Sequence, residues 1–185
     1  MPTVISPYYR LIDVFFMMLS PVMFCFVSAM VSLEEVDEKT AAYLFITPLG
    51  KAGYLSARLG VPAAAAFLVT VILFPFFRLT DFSLITILLF AAGGTLQGLI
   101  VALLVLTLAS NRLEGIAVTK LSALFILGAA VPFFIEDDIQ YVLFPLPSFW
   151  IGKAARGNIV LYMVPAFVLS AIWICFLLKQ YLRKI

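Results

Sequence analysis

Histidine is absent from this 185-residue sequence, and charged residues make up only 12% of it. A soluble domain carries about 25% charged residues, so the shortage argues against an ordinary water-exposed surface. Without histidine, the chain lacks the most frequent metal ligand and the most frequent general base. The net charge of +2 is too small to indicate nucleic-acid binding.

Cysteine is also scarce, and catalytic motifs are missing. Cys25 and Cys175 both lie in apolar runs, without the spacing of a disulfide or a metal site. We interpret them as small hydrophobic side chains. The sequence has no GxxxxGK[ST] motif for ATP, and no cluster of acids or nucleophiles can be assembled at membrane depth. We therefore expect neither an enzyme nor a chain with a cofactor of its own.

Apolar residues, by contrast, make up 64% of the chain. A bilayer supplies the apolar solvent that a soluble fold of this size lacks, and a spanning helix needs about 20 apolar residues. Five runs approach or exceed that length, at 11–33, 56–77, 82–108, 117–135 and 158–178. The sequence predicts an all-α, polytopic transmembrane helix bundle, with residues 1–185 forming a single domain.

The distribution of lysine and arginine predicts the orientation of this bundle. If the C-terminus is cytoplasmic, eight of the twelve basic residues face the cytoplasm and four face outward. The positive-inside rule favours this arrangement. Five spans then place the N-terminus outside, which leads us to expect a preceding helix that is missing or supplied by another chain.

The inner connection between the first two spans is acidic at its start. Glu34, Glu35, Asp37 and Glu38 are predicted to begin a short amphipathic helix, since carboxylates stabilise a helix N-terminus. Thr47-Pro48 would end it. The helix either rests on lipid or docks to a protein. Because membrane-surface helices are normally basic on their polar face, the acidic face favours docking.

The second inner connection covers residues 110–120. Asn111 or Ser110 is predicted to end the third span or to cap the following helix, and Glu114 is predicted to take a capping role and to pair with Arg112. Two interpretations stay open for this connection, a solvated helix–turn–helix corner and a contact with a partner protein.

Polar residues within the spans are few. Gly94 and Gly98 form a GxxxG step around Gln97, which suits close helix packing with a hydrogen bond across the contact. A place on the transport pathway is the alternative. Asp13, near the outer end of the first span, is expected to form a surface pair with Arg10. The spans hold no ionisable residue near their centres, which disfavours an ion-driven carrier.

The outer connection, residues 136–157, is rich in aromatic residues and proline. Tryptophan and tyrosine favour the membrane interface, so we expect short helices that dip into the outer leaflet. They would act as a passive anchor or as a lid over an exit path. The residues that carry this pattern are Tyr141, Phe144, Pro145, Pro147, Phe149 and Trp150.

Three segments together resemble one family. EKTAAYLFITPLGKAGYLSARL is similar to the EKE-T…L…TPL…Y…R connection of type-2 permeases of ATP-binding-cassette (ABC) transporters. SNRLEGIAVTKL resembles the N-K-x-E-G-x-A corner of a drug-export branch that includes fluoroquinolone exporters. FPLPSFW resembles the proline–aromatic part of the outer re-entrant helices. The resemblance covers nearly the whole chain, although the family normally has six spans and a cytoplasmic N-terminus.

The resemblance implies a permease subunit of the inner (cytoplasmic) membrane that exports a small amphipathic compound or lipid by alternating access. It implies two permease chains and two ATPase subunits, with ATP and magnesium bound by the ATPase. The partner would be contacted by the coupling-helix residues Glu38, Lys39, Thr40, Tyr43 and Leu44, and secondarily by Asn111 and Glu114. The alternative is a non-transporting assembly or sensor subunit that holds a cytoplasmic partner.

Overall fold

The computed structural model describes residues 8–38 and 50–184, and within these ranges the chain forms helices and turns without strands. The α-helices are α1 Tyr9–Asp37, α2 Gly50–Leu55, α3 Val61–Phe77, α4 Leu84–Leu108, α5 Arg112–Leu127, α6 Val131–Phe134, α7 Pro147–Arg156 and α8 Ile159–Lys184. A π-helical turn, Ser56–Gly60, joins α2 to α3, and a 3-10 helix, Asp138–Leu143, precedes α7.

Four helical segments of the described chain are long and apolar enough to cross a membrane: α1, Gly53–Phe77, α4 and α8. They contain 25 to 29 residues, and a helix rises about 1.5 Å per residue, so each exceeds the hydrocarbon core of about 30 Å. The segments coincide with the runs at 11–33, 56–77, 82–108 and 158–178. The prediction of an all-α polytopic bundle is confirmed.

The fifth expected span, 117–135, is not one helix. α5 ends at Leu127 after 16 residues, and three turn residues separate it from α6. Its length of about 24 Å falls short of the hydrocarbon core. Gly152 of α7 lies against this break, where a Cβ atom would stand 2.0 Å from the Ala129 carbonyl oxygen. α7 therefore packs directly against the break between α5 and α6.

α4 is the central helix and packs against α1, α3, α5 and α8. Of the 18 most apolar consecutive residues of α4, 67% are buried, against 17% for the same length of α8. Ser83 caps it, with the side-chain oxygen accepting the Thr86 backbone N–H at 3.3 Å. The central position explains why α4 carries the small residues that allow close helix approach.

The segment between α6 and α8 enters the bundle and returns. Trp173 of α8 donates its indole N–H to the Pro145 carbonyl oxygen at 2.9 Å, and Trp173 lies about 21 Å along the helix axis from Ile159. The Ser148 hydroxyl donates to the Phe125 carbonyl oxygen. Residues 138–156 thus form the short helices that were expected in this connection, and they reach far into the bundle.

The bundle has two ends, named here by Glu35 and Arg156. The Glu35 end holds the C-terminus of α1 and the N-terminus of α5. The Arg156 end holds the N-terminus of α1, the 78–81 turn and the C-terminus of α7, and Tyr8 stacks there on Phe134 with ring centroids 5.6 Å apart.

Candidate functional site

Three carboxylates stand at the C-terminal end of α1. Glu34, Glu35 and Asp37 belong to its last turn, and Glu38 is its C-cap residue, with its backbone N–H donating to the Glu34 carbonyl oxygen at 2.9 Å. The prediction that these residues begin a new helix is wrong. Since the helix dipole disfavours negative charge at a C-terminus, other groups must stabilise the carboxylates.

Glu35 is stabilised from the start of the next span. It forms an ion pair with Arg58, and it accepts a hydrogen bond from the Tyr54 hydroxyl at 2.5 Å. The Glu35 side chain is 16% exposed and that of Arg58 37%. Arg58 lies in the π-helical turn, and its carbonyl oxygen accepts a hydrogen bond from the Ser28 hydroxyl. These contacts join the end of α1 to the start of α3.

Arg112, the first residue of α5, binds the other two carboxylates. Its guanidinium lies 3.0 Å from Glu34, and its backbone N–H donates to Asp37 at 3.1 Å. The second contact satisfies one of the N–H groups that a helix start leaves without a partner. Glu34, Glu35, Asp37, Arg58 and Arg112 are called the carboxylate cluster below. The cluster ties the ends of three helices together.

Asn111 and Glu114 form a reciprocal cap on α5. The Asn111 side-chain oxygen accepts the Glu114 backbone N–H at 2.9 Å, and Glu114 accepts the Ser110 backbone N–H at 2.7 Å. This arrangement differs from a capping box because Glu114 accepts the backbone N–H of Ser110, the residue before the N-cap. The predicted capping roles of Asn111 and Glu114 are confirmed. The expected pairing of Glu114 with Arg112 is wrong, because the Arg112 guanidinium faces Glu34 instead.

The same corner receives the end of α8. The Lys184 ammonium donates to the carbonyl oxygens of Leu106 and Thr107, each at 3.2 Å, and to that of Ala109. These carbonyls end α4, where a cation is favourable. The end of α8 is thereby fixed beside the Asn111–Glu114 cap.

Of the coupling-helix residues expected to contact the ATPase, only Glu38 lies within the described part of the chain. Glu38 is exposed and is the last described residue after α1. Lys39, Thr40, Tyr43 and Leu44 lie outside the described residues. The connection that contains them leaves the cluster at Glu38 and returns at α2, four residues before Tyr54.

Gly94, Gln97 and Gly98 lie together on α4 beside α1. A Cβ atom on Gly94 would stand 2.4 Å from the Met17 carbonyl oxygen, and one on Gly98 2.8 Å from the Pro21 carbonyl oxygen. The two backbones are therefore in contact at this step. Gln97 is fully buried, and its amide atoms have no hydrogen-bond partner among residues 8–38 and 50–184. The prediction of close packing at this step is confirmed, and the expected hydrogen bond across it is wrong for the described residues.

Asp13 has a different role from the one expected. It is 1% exposed and accepts the backbone N–H groups of Leu79 and Thr80, at 2.9 and 2.8 Å. The prediction of a surface pair with Arg10 is wrong. Because the 78–81 turn is 66 residues away in sequence, no local pattern indicates this contact.

The chemistry of the carboxylate cluster is ion pairing between helices. In the part of the chain that the structure describes, no group of three or more His, Cys, Asp or Glu could hold a metal ion. The sequence interpretation missed Arg58 and Arg112 as members of the cluster, and it missed Tyr54 as a hydrogen-bond donor to Glu35. The sequence does show carboxylates after the first apolar run and arginines near the starts of later helices. This opposite charge at helix ends could have indicated the ion pairs.

The comparison with known proteins agrees with these observations. The family described as "Fluoroquinolones export permease protein Rv2686c-like" matches residues 2–178. No match was found among curated proteins or solved structures. With several apolar helices and a family match over nearly its whole length, the chain belongs to the Rv2686c-like family of fluoroquinolone export permeases and is a multi-pass membrane transport protein.

Proposed function

We propose that this chain is the permease subunit of an ABC exporter, powered by ATPase subunits on separate chains. The observation that carries the proposal is the carboxylate cluster, which flanks the connection expected to dock the ATPase. A second permease chain would complete the pathway, and the ATPase would bind ATP and magnesium. The family description supports an amphipathic, fluoroquinolone-type compound as cargo.

The cluster suits the transmission of movement. A push on residues 39–49 would reach Glu38 on one side and Tyr54 on the other, and Glu35 joins these sides through its contacts with Arg58 and Tyr54. Arg112 extends the link to α5. α1, α3 and α5 would then move together at this end. Such coupled movement of helices is what alternating access requires.

We further propose that the Glu35 end faces the cytoplasm. The support is the excess of lysine and arginine that this orientation places inside. Single cysteines introduced by Ser110→Cys and Asp137→Cys test it, in a chain whose two native cysteines are replaced by alanine. A membrane-impermeant thiol reagent added to intact cells should label position 137 and spare position 110. The reverse labelling would contradict the orientation.

The ATPase partnership is tested by affinity purification in mild detergent with mass spectrometry. We expect an ABC ATPase in near-equal amount to the permease. The double variant Tyr43→Ala/Glu38→Lys should lose this partner because it removes a ring and reverses a charge in the expected contact. Asp138→Lys, an equal charge reversal at the Arg156 end, is the matched control and should retain the ATPase.

The outcome also separates the proposal from its alternative. An ATPase whose rate rises when the exported compound is added indicates a transporter. A stable cytoplasmic partner without such stimulation would favour the assembly or sensor subunit. If the double variant retained the ATPase, the prediction that residues 38–44 dock the ATPase would be contradicted.

A further inference from the structure

Four aromatic rings lie close to one lysine ammonium near the Arg156 end. The Lys153 ammonium lies 3.8 Å from the ring centroid of Tyr141, 5.5 Å from that of Tyr162, 5.6 Å from that of Phe149 and 5.9 Å from that of Trp150. The rings come from the 3-10 helix, α7 and α8. A cation within about 6 Å of a ring centroid is attracted by the ring quadrupole, so all four rings contribute.

The rings also fix one another. Tyr141 meets Phe149 edge to face at 6.0 Å, Phe149 meets Trp150 at 5.5 Å, and Trp150 meets Tyr162 at 6.2 Å. Phe149 is fully buried. The enclosure therefore rests on the packed bundle and does not depend on Lys153 alone. We call these four rings the aromatic box.

Lysine fits this box incompletely. An ammonium group has three N–H donors, and the Tyr141 hydroxyl is its one acceptor within residues 8–38 and 50–184. A quaternary ammonium group has no N–H to satisfy and loses less hydration when rings surround it. Aromatic boxes elsewhere recognise such ligands for this reason.

Space for a ligand lies next to the box. A cavity of about 250 Å³ is bordered by Lys153 and Tyr162 and reaches Glu136, Gln140 and Arg156. Glu136 and Arg156 form an ion pair with each other, which leaves this wall close to neutral. Lys153 is half-buried, and its flexible stem allows the ammonium to leave the box.

An ordinary interfacial lysine is the simpler interpretation, because lysine extends its charge toward water beside aromatic residues. That interpretation requires one or two rings along the stem. It does not require four rings, from three separate elements, around the charged group itself. The enclosure of the ammonium distinguishes the two interpretations.

We propose that the aromatic box is a binding site for organic ammonium groups, in which the Lys153 ammonium is the resident occupant and competes with the ligand. The site stands on its own geometry, while its use in export rests on the proposed function. On the outward side of an exporter, the returning lysine would displace a bound cation and so favour release.

The test is equilibrium dialysis of radiolabelled benzyltrimethylammonium against the full chain in phosphatidylglycerol nanodiscs, without any ATPase. Lys153→Met keeps the length of the stem and removes the competing charge. We expect it to bind the probe roughly tenfold more tightly than the unmodified chain. Lys179→Met, which removes an equal charge from the other end of α8, is the matched control and should leave binding unchanged.

Two further variants locate the binding. Adding Tyr162→Leu or Trp150→Leu to Lys153→Met should abolish the gain, because each removes a ring. The neutral isostere of the probe, 2,2-dimethylpropylbenzene, should show no gain with Lys153→Met. Equal gain for the neutral analogue, or no gain for the cation, would overturn the proposal. Either result would leave the ATPase partnership untouched, since the binding assay contains no ATPase.

Phosphatidylcholine nanodiscs identify the source of the ammonium group. If the choline headgroup of a lipid fills the box, probe binding by Lys153→Met should weaken strongly in these discs. If the ligand is a soluble cation, binding should match that in phosphatidylglycerol. Both results support recognition of an ammonium group and assign its origin.

Discussion

The Glu35–Arg58 ion pair should contribute more to stability than the Glu34–Arg112 pair of the same cluster. Exposed pairs contribute about 0–1 kcal/mol, whereas the coupling energy between two contacting side chains reaches about 3 kcal/mol. The side chains of Glu35 and Arg58 are 16% and 37% exposed, and those of Glu34 and Arg112 are 45% and 57% exposed. The first pair thus lies between the two limits, and the second lies near the exposed limit.

Two double-mutant cycles measure this difference. Glu35→Gln with Arg58→Met should give a coupling energy of about 2 kcal/mol, and Glu34→Gln with Arg112→Met about 0.5 kcal/mol. Arg112→Met keeps the backbone N–H that Asp37 accepts, so the second cycle reports the side-chain contact alone. The assay is SDS titration in mixed micelles, followed by helical circular dichroism. Equal coupling energies, or a larger one for the exposed pair, would refute the reasoning.

Three further predictions use the same titration. Gly94→Val places side-chain atoms against the Met17 carbonyl oxygen and should cost about 1–3 kcal/mol. Gly60→Ala, where a Cβ meets nothing within 4 Å, should change stability by less than about 0.5 kcal/mol, and an equal loss in both would contradict the packing. Gln97→Met should stabilise the chain by about 1 kcal/mol, because it removes buried amide atoms without partners; destabilisation would show that the amide is bonded. Asp13→Ala should cost about 2 kcal/mol by leaving two turn N–H groups without an acceptor, and unchanged stability would argue against that turn contact.

The sequence was sufficient for features that depend on local composition. Apolar runs predicted the four long helices because the bilayer requires a fixed length of apolar chain. The Gly94–Gly98 step predicted close helix approach because only small residues permit it. The Asn111–Glu114 cap was predictable because its partners are three residues apart.

The remaining features depend on residues that are distant in sequence. The carboxylates of α1 look like a helix start until Arg112, 75 residues after Asp37, is placed beside them. The break after α5 packs against Gly152 of α7, which lies 23 residues after Ala129 in sequence. Lys153 was assigned no role from the sequence, because the four rings of the aromatic box lie in three elements that only the fold brings together. Local composition therefore predicts the helices, whereas the contacts between distant residues follow only from how the helices pack.

The central claim is that a separate ATPase drives this permease through the carboxylate cluster. The most direct test is ATPase activity of the purified permease–ATPase complex in liposomes, with and without a fluoroquinolone. We predict that the fluoroquinolone raises the rate for the unmodified permease, and that Glu35→Gln/Arg58→Met abolishes this increase while the ATPase stays bound. Full stimulation in the double variant would contradict the claim that the cluster transmits the movement.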